Sequence, residues 1–328
     1  MTPPADVPHQ PDVTPRAPLP APHETQRRGA VAAATMPAPG SVAVTVLVAA
    51  RDERVNIARC VASAAPARRI VVVDSGSTDG TAAIAEAAGA EVHQFRFEPG
   101  RPKKRQWALD TLAFDTDWVL LLDADEQVPP ALWREIAAVL AGPSVHRAWF
   151  IRKGFHFLGR RFRFGGFSFD AVLLIDRRHA RFERLSYDAD DRLDMEVHER
   201  VIVDGSIGRL ATPLIHDDFK SLEAYVARHN AYSTWEARMR HRFLTTGRWG
   251  QEPVRARLLG NAQERRRFLK YVAVRTPGEP LLWFLYHYLL RGGCLEGRRG
   301  FIASRIRANY IADVRAKVYE LSLPRRDG

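Results

Sequence analysis

Cysteine is scarce. Cys60 and Cys294 are the two cysteines among 328 residues, and they stand far apart. That excludes a disulfide framework and a cysteine-based zinc site, and a reducing cytosol is the compartment expected. No run of about 18 apolar residues occurs, so no transmembrane helix is expected. Residues 1–40, rich in proline and alanine, carry neither a helical nor a strand period and no long apolar signal-peptide core. They are expected to form a disordered tail. Internal repeats are missing as well.

What is present is an apolar content of 46%, enough for a substantial core. The net charge of +11 is one-sided. Residues 206–328 hold 23 basic and 11 acidic side chains, a net of +12, so the remainder is close to neutral. A basic third suits an anionic partner, nucleic acid or an anionic membrane face.

From residue 41 the chain alternates apolar runs with helical periods. "SVAVTVLVAA", "RRIVVVD", "EVHQFRF" and "DWVLLLD" read as strands. "RVNIARCVASAA", "STDGTAAIAEAAGA", "KKRQWALDTLAF" and "PPALWREIAAVLAG" read as helices, the second N-capped by Ser77 or Thr78 and closed by Gly89. This rhythm predicts βαβ units and a mostly parallel sheet. Ligands of such sheets bind at the carboxyl ends of the strands, and three of those ends are polar: Arg51-Asp52-Glu53, Asp74-Ser75-Gly76-Ser77 and Asp123-Ala124-Asp125. Beyond residue 146 the pattern changes to strands and loops rich in Phe, Gly and Arg, then to long amphipathic helices. The stripe Leu222, Tyr225, Val226, Tyr232, Trp235 and Met239 marks the first of these.

Acids two apart on a strand point the same way, so Asp123 and Asp125 are expected to face one small volume. Adjacent carboxylates are costly unless a cation neutralises them or one holds a proton. Hard oxygen ligands suit Mg²⁺ or Mn²⁺, with phosphate oxygens completing the shell. Arg101, Lys103, Lys104 and Arg105 crowd a helix start, a place for a polyanion. Glu126 is assigned to the following loop or helix start. "HERVI" departs from H-E-x-x-H, so a zinc protease is unsupported. A dehalogenase-type phosphatase would need D-x-D-x-T/V near the N-terminus, and here "DADEQ" ends the fourth strand.

"TVLVAARDERVNIARCVAS", "IVVVDSGSTDGTAAIAEAAGAEV" and "WVLLLDADEQVPPAL" resemble the leading motifs of family 2 glycosyltransferases with the GT-A fold. Gly165-Gly166, Val197-His198-Glu199 and "GRLATPLIH" ending at His216 narrow the likeness to the lipopolysaccharide-core β-glucosyltransferase-like branch. The resemblance implies an α/β GT-A domain at 41–216 after the 1–40 tail, then a helical basic region at 217–328. It implies an inverting transfer from a nucleotide-sugar, most naturally a UDP-sugar, to a lipid-linked or lipopolysaccharide-core glycan. Arg51 and Glu53 would line the nucleotide pocket, Asp74 would accept from the base, Arg105 would lie near the diphosphate and Asp123 would face the ribose. Asp125, with Asp123 and His216, would hold Mg²⁺ or Mn²⁺. Glu199 would be the general base, a role an inverting transfer independently requires; Glu196, Asp194, Asp191 and Asp190 are its rivals. Two departures stand out: "KRQWAL" puts Gln106 where the family often has Asn, and "VLLIDRR" loses a Gln and an Arg.

"PLLWFLYHYLL" is too short to span a bilayer but suits its surface, with Arg275, Arg291, Arg298 and Arg299 on anionic headgroups. The same segment could pack as a core helix, and both can hold. The expected setting is peripheral, on the cytoplasmic face of the inner membrane. A polyprenyl phosphate acceptor is the neighbouring alternative. A non-catalytic binder of nucleic acid or another anionic surface would leave the acidic strand ends unexplained, and nucleic acid is not expected as a partner.

Overall fold

The computed structural model describes residues 35–98, 102–142, 144–184, 200–217, 221–249 and 253–324. Four apolar runs form a parallel set. β1 (Val42–Ala50) lies between β2 (Ala67–Asp74) and β4 (Trp118–Asp123), and β3 (Glu91–Gln94) adds outside β2. Val46, Leu47 and Val48 of β1 and Leu120, Leu121 and Leu122 of β4 are all buried. Consecutive burial means both sheet faces are covered. The connecting helices are α1 (Ile57–Ser63), α2 (Thr81–Ala87) and α3 (Lys104–Thr111), and α4 (Pro130–Leu140) follows β4 with proline at its first turn.

The cap of α2 differs from the expectation. Neither Ser77 nor Thr78 caps it. The helix starts at Thr81 behind Gly80 at φ +89°, and Asp79 Oδ1 accepts the Thr81 N–H at 3.0 Å. Ser77 is drawn back instead, donating its hydroxyl to Asp74 and accepting the Asp52 N–H at 2.8 Å.

Past β4 the sheet becomes mixed. β8 (Phe169–Asp176) runs antiparallel to β4, and β6 (Ala148–Phe157) antiparallel to β8. β12 (Leu214–His216) is parallel to β6, and β5 (Glu126–Gln127) closes antiparallel on β12. Two short strands flank β6: β7 (Arg160–Arg161) and β11 (Ile207–Arg209). β9 (Ala180–Phe182) and β10 (Val201–Val203) pair separately.

Gly154 sets the spacing of β6 and β12. A Cβ there would stand 2.7 Å from the Leu214 carbonyl oxygen. Gly154→Ala is therefore expected to push β12 outward, costing about 1–3 kcal/mol as overpacking does. Urea unfolding reads the loss.

The C-terminal helices carry their own small cores. α5 (Leu222–Thr246) buries Trp235, Met239 and Phe243 against Val274 of α6 (Ala262–Arg275). Its Ala237 packs with Tyr310, Ile311 and Val314 of α8 (Gly297–Ser322). The stripe read from sequence holds at Trp235 and Met239, whereas Leu222 and Val226 at its start are exposed. α7 (Glu279–Leu285) runs into a π-turn (Tyr286–Leu290) and a 3₁₀ turn (Gly293–Glu296). These turns hold the Gly165-Gly166 segment. The Gly165 N–H donates to the Arg291 carbonyl at 2.7 Å, and Arg163 and Phe164 N–H donate to Glu296 Oε1 at 2.6 and 2.9 Å. His287 Nδ1 donates to the Gly165 carbonyl at 2.6 Å. Burial depresses its pKa to about 4, so the ring is neutral. Among the described residues no helix is long and apolar enough to cross a membrane.

Candidate active site

The carboxyl ends of β1, β2 and β4 meet as expected. The loops after β1 and β2 are laced together. Asp52, at φ +52°, accepts the Thr78 N–H on Oδ1 at 3.0 Å, and the Arg54 N–H donates to Asp79 Oδ2 at 3.0 Å. Asp74 is fully buried and accepts the Ser77 N–H at 2.9 Å, an acceptor fixed at the strand end. Glu53 accepts from the Asn56 side chain at 2.7 Å. Arg51 is exposed, and its nearest acid is Asp52 at 4.0 Å.

Asp123 and Asp125 feel each other's charge but take different partners. Only Asp123 is still in the strand; Asp125 lies in the turn to β5, so the period-two argument stops one residue too early. Arg105 Nη2 reaches Asp123 Oδ1 at 2.5 Å, and Lys153 Nζ reaches Oδ2 at 2.5 Å. Burial alone would raise this carboxyl's pKa, but Lys153 and Arg105 outweigh it and hold it far below the carboxylate range. Asp125 turns instead toward His216, with His216 Nε2 at 3.4 Å from Oδ2. Burial opposes the imidazolium, yet Asp125 and Glu126 lift His216 to about 9, and His216 in turn draws Asp125 down.

Glu126 is neither in a loop nor at the helix start but in β5. It is fully buried rather than a loop acid, pairs with Lys153 at 2.8 Å, and accepts the Asp123 N–H at 2.9 Å. Burial and the neighbouring aspartates raise its pKa against Lys153. Lys153 itself carries no motif. The available signal was a lysine between the apolar run Phe150–Ile151 and Gly154, on the inward side of β6, where Arg152 faces out.

The basic start of α3 is buried rather than open. Lys103, Lys104 and Arg105 are each less than a tenth exposed, and Lys103 lies 5.5 Å from the Trp235 ring of α5. Arg101 lies outside the described residues. Gln106 bridges α3 to β9, its Oε1 accepting the Phe182 N–H at 2.8 Å. Glu199, with its rivals Asp190, Asp191, Asp194 and Glu196, also lies outside the described residues. The chain re-enters at Arg200, whose N–H donates to Glu183 Oε1 at 3.1 Å.

The acids could supply part of a metal site. Asp125 Oδ1 is buried and has no hydrogen-bond partner, which suits an oxygen reserved for a cation. No group of three His, Cys, Asp or Glu side chains among the described residues could hold a metal unaided. Asp123 already has a cation on each oxygen. The donor set therefore fits a cation only if ligand oxygens finish the shell, as Mg²⁺ sites beside phosphates do.

The sheet is flanked by helices, with acids and arginine gathered at the carboxyl edge of its parallel strands and helices following it. Residues 45–164 match the family Glycosyl transferase family 2, and the chain is a glycosyltransferase carrying a domain of that family. It is 28% identical over 275 residues to the lipopolysaccharide core biosynthesis glycosyltransferase LpsC of Rhizobium meliloti (strain 1021), covering 82% of this chain and 89% of that protein. It is 25% identical to an uncharacterized glycosyltransferase of Rickettsia typhi (strain ATCC VR-144 / Wilmington), covering 87% and 89%. Among solved structures, glucosyl-3-phosphoglycerate synthase from Mycobacterium tuberculosis with phosphoglyceric acid matches at a TM-score of 0.38 and 20% identity, covering 60% of this chain and 80% of that one.

Proposed function

We propose that the protein is an inverting, metal-dependent transferase that moves a sugar from a UDP-sugar to a lipid-linked or lipopolysaccharide-core glycan at a membrane face. The observation that carries this reading is the buried, unpartnered Asp125 Oδ1 beside His216, at the carboxyl edge of a family 2 domain. The likeness to a lipopolysaccharide-core enzyme supports the acceptor class.

In this reading Asp74 accepts the N–H of the base, while Arg51 and Glu53 border the nucleotide. Asp123, fixed by Arg105 and Lys153, faces the ribose, and Arg105 lends positive charge near the diphosphate. Asp125 and His216 would hold Mg²⁺ or Mn²⁺, with Asp123 beside them. A cation held there would stabilise the charge that gathers on the departing diphosphate. Glu199 takes the proton from the acceptor hydroxyl as that oxygen attacks the anomeric carbon from the opposite face, which inverts the configuration. Residues 41–216 form the catalytic part and 217–328 the membrane-facing part.

A thermal-shift screen against UDP-, GDP- and dTDP-sugars with Mn²⁺ tests the donor. The UDP-sugar is expected to raise Tm, by simple linkage, and chelator to cancel the rise. Equal response to all three, or to none, counts against the reading. Labelled sugar recovered in a mild-acid-labile lipid would shift the acceptor to a polyprenyl phosphate.

The membrane side rests on α7, the π-turn and the start of α8. Leu281, Leu282, Leu289, Leu290, Leu295 and Phe301 are exposed there, with Leu290 at 79%, and Arg291, Arg298 and Arg299 are exposed beside them. Apolar side chains rimmed by arginine suit an anionic lipid surface. Placing charge at two of these leucines, Leu282→Glu with Leu289→Glu, is expected to weaken binding to phosphatidylglycerol vesicles by about 100-fold, from roughly 1.5 kcal/mol per leucine. Flotation measures it, and unchanged flotation would remove the ridge from the account.

A further inference from the structure

The two ends of the acidic turn are joined by one side chain from another strand. Lys153 is 8% exposed, on β6, with its ammonium 2.5 Å from Asp123 Oδ2 and 2.8 Å from Glu126 Oε1. Those acids begin and end the four-residue span whose third member is Asp125. The span is closed again by the Asp123 N–H donating to Glu126 Oε2 at 2.9 Å. Lys153 is opposite Leu214 in β12, and β12 pairs His216 with Glu126 of β5. The Asp217 N–H donates to the Asp125 carbonyl at 3.2 Å. The lysine therefore belongs to a closed circuit: β6 to β12, β12 to β5, β5 through the turn to β4, and β4 back to Lys153.

We propose that Lys153 is a positioning residue for the transfer site, its ammonium stapling Asp123 to Glu126 so that the turn between them holds Asp125 against His216. This rests on Asp125 being the donor-site acid. An apolar residue such as Met could fill the space but could not bond both carboxylates. Arg105 cannot substitute, because it approaches Asp123 from α3 and takes Oδ1 and the Leu122 carbonyl. Three carboxyl groups are gathered within the turn, so the staple also offsets part of their mutual repulsion.

Lys153→Met alone leaves Glu126 buried beside two aspartates and could unfold the protein. The decisive variant is Lys153→Met with Glu126→Gln. It removes one charge of each sign and keeps an oxygen to accept the Asp123 N–H. Two readouts are taken: amide hydrogen exchange over residues 121–128 and 212–217, and transfer from a UDP-sugar with Mn²⁺. The double variant is expected to melt near wild type while both segments exchange about tenfold faster, as local opening does. Its kcat is expected to fall by about 100-fold, as slight misplacement of a reacting group does. Lys153→Arg should recover part of both. Wild-type exchange in the double variant overturns the proposal, even if kcat falls, because the lysine would then act by charge alone. If the wild type transfers nothing, the donor reading fails, and the exchange data still decide the staple.

Discussion

Asp125→Asn should lose about a thousand-fold in transfer rate while keeping its fold. Asn keeps the volume and one carbonyl oxygen, so the turn and its contact with His216 can persist. What goes is the charge at a buried carboxylate oxygen, Asp125 Oδ1, that no hydrogen bond uses. If that oxygen meets a cation bound to the departing diphosphate, its charge counts fully in the transition state. A thousand-fold loss corresponds to about 4 kcal/mol, within the several kcal/mol ascribed to Lewis-acid stabilisation. Circular dichroism and a Tm within a few degrees of wild type would separate this from unfolding. Asp123→Asn gives a useful contrast, because it strands Arg105 and Lys153 and should damage stability as well as rate.

The largest effect on stability should come from a residue far from any motif. Glu183 is fully buried, and Arg267 Nη2 of α6 donates to both its oxygens, at 2.6 and 2.7 Å. Its Oε2 also accepts the Val254 N–H at 2.7 Å, and its Oε1 the Arg200 N–H. Arg267 is 2% exposed. Removing one member of such a pair leaves a buried charge without its partner, which costs about 3–5 kcal/mol. Arg267→Met is expected to lower Tm by about 10 °C at this chain length. Adding Glu183→Gln removes the stranded charge and keeps one acceptor oxygen, enough for the Val254 N–H or the Arg200 N–H but not both, and should recover part of the loss. Urea unfolding of the three proteins measures it, and an Arg267→Met protein as stable as wild type would show the pair to be dispensable.

Much of the donor half can be read along the chain because its signals are local. Buried parallel strands are continuous apolar runs such as "VLLLD", and proline marks the start of α4. Asp123 and Asp125 were found because they adjoin such a run. Their separation into different partnerships was not legible. Lys153 arrives from β6 and His216 from β12, and strand pairing across tens of residues leaves no trace in spacing. The burial of Glu126 is hidden for the same reason: it depends on a lysine 27 positions later, the difference between 153 and 126. Ser77 misled because a hydroxyl before a helix is usually a cap, whereas here Asp74 and the Asp52 N–H compete for it. In the C-terminal helices periodicity placed Trp235 and Met239 inside. It could not say that Leu222 and Val226, on the same stripe, stay exposed.

The central claim is that Asp125 and His216 form a cation site completed by the donor's diphosphate. Electron paramagnetic resonance of Mn²⁺, titrated into wild type and Asp125→Asn with and without UDP, tests it most directly. The account predicts that wild type removes the free Mn²⁺ signal far more strongly when UDP is present, and that the variant loses this UDP-dependent uptake. Equal uptake by both proteins, or uptake indifferent to UDP, would contradict it.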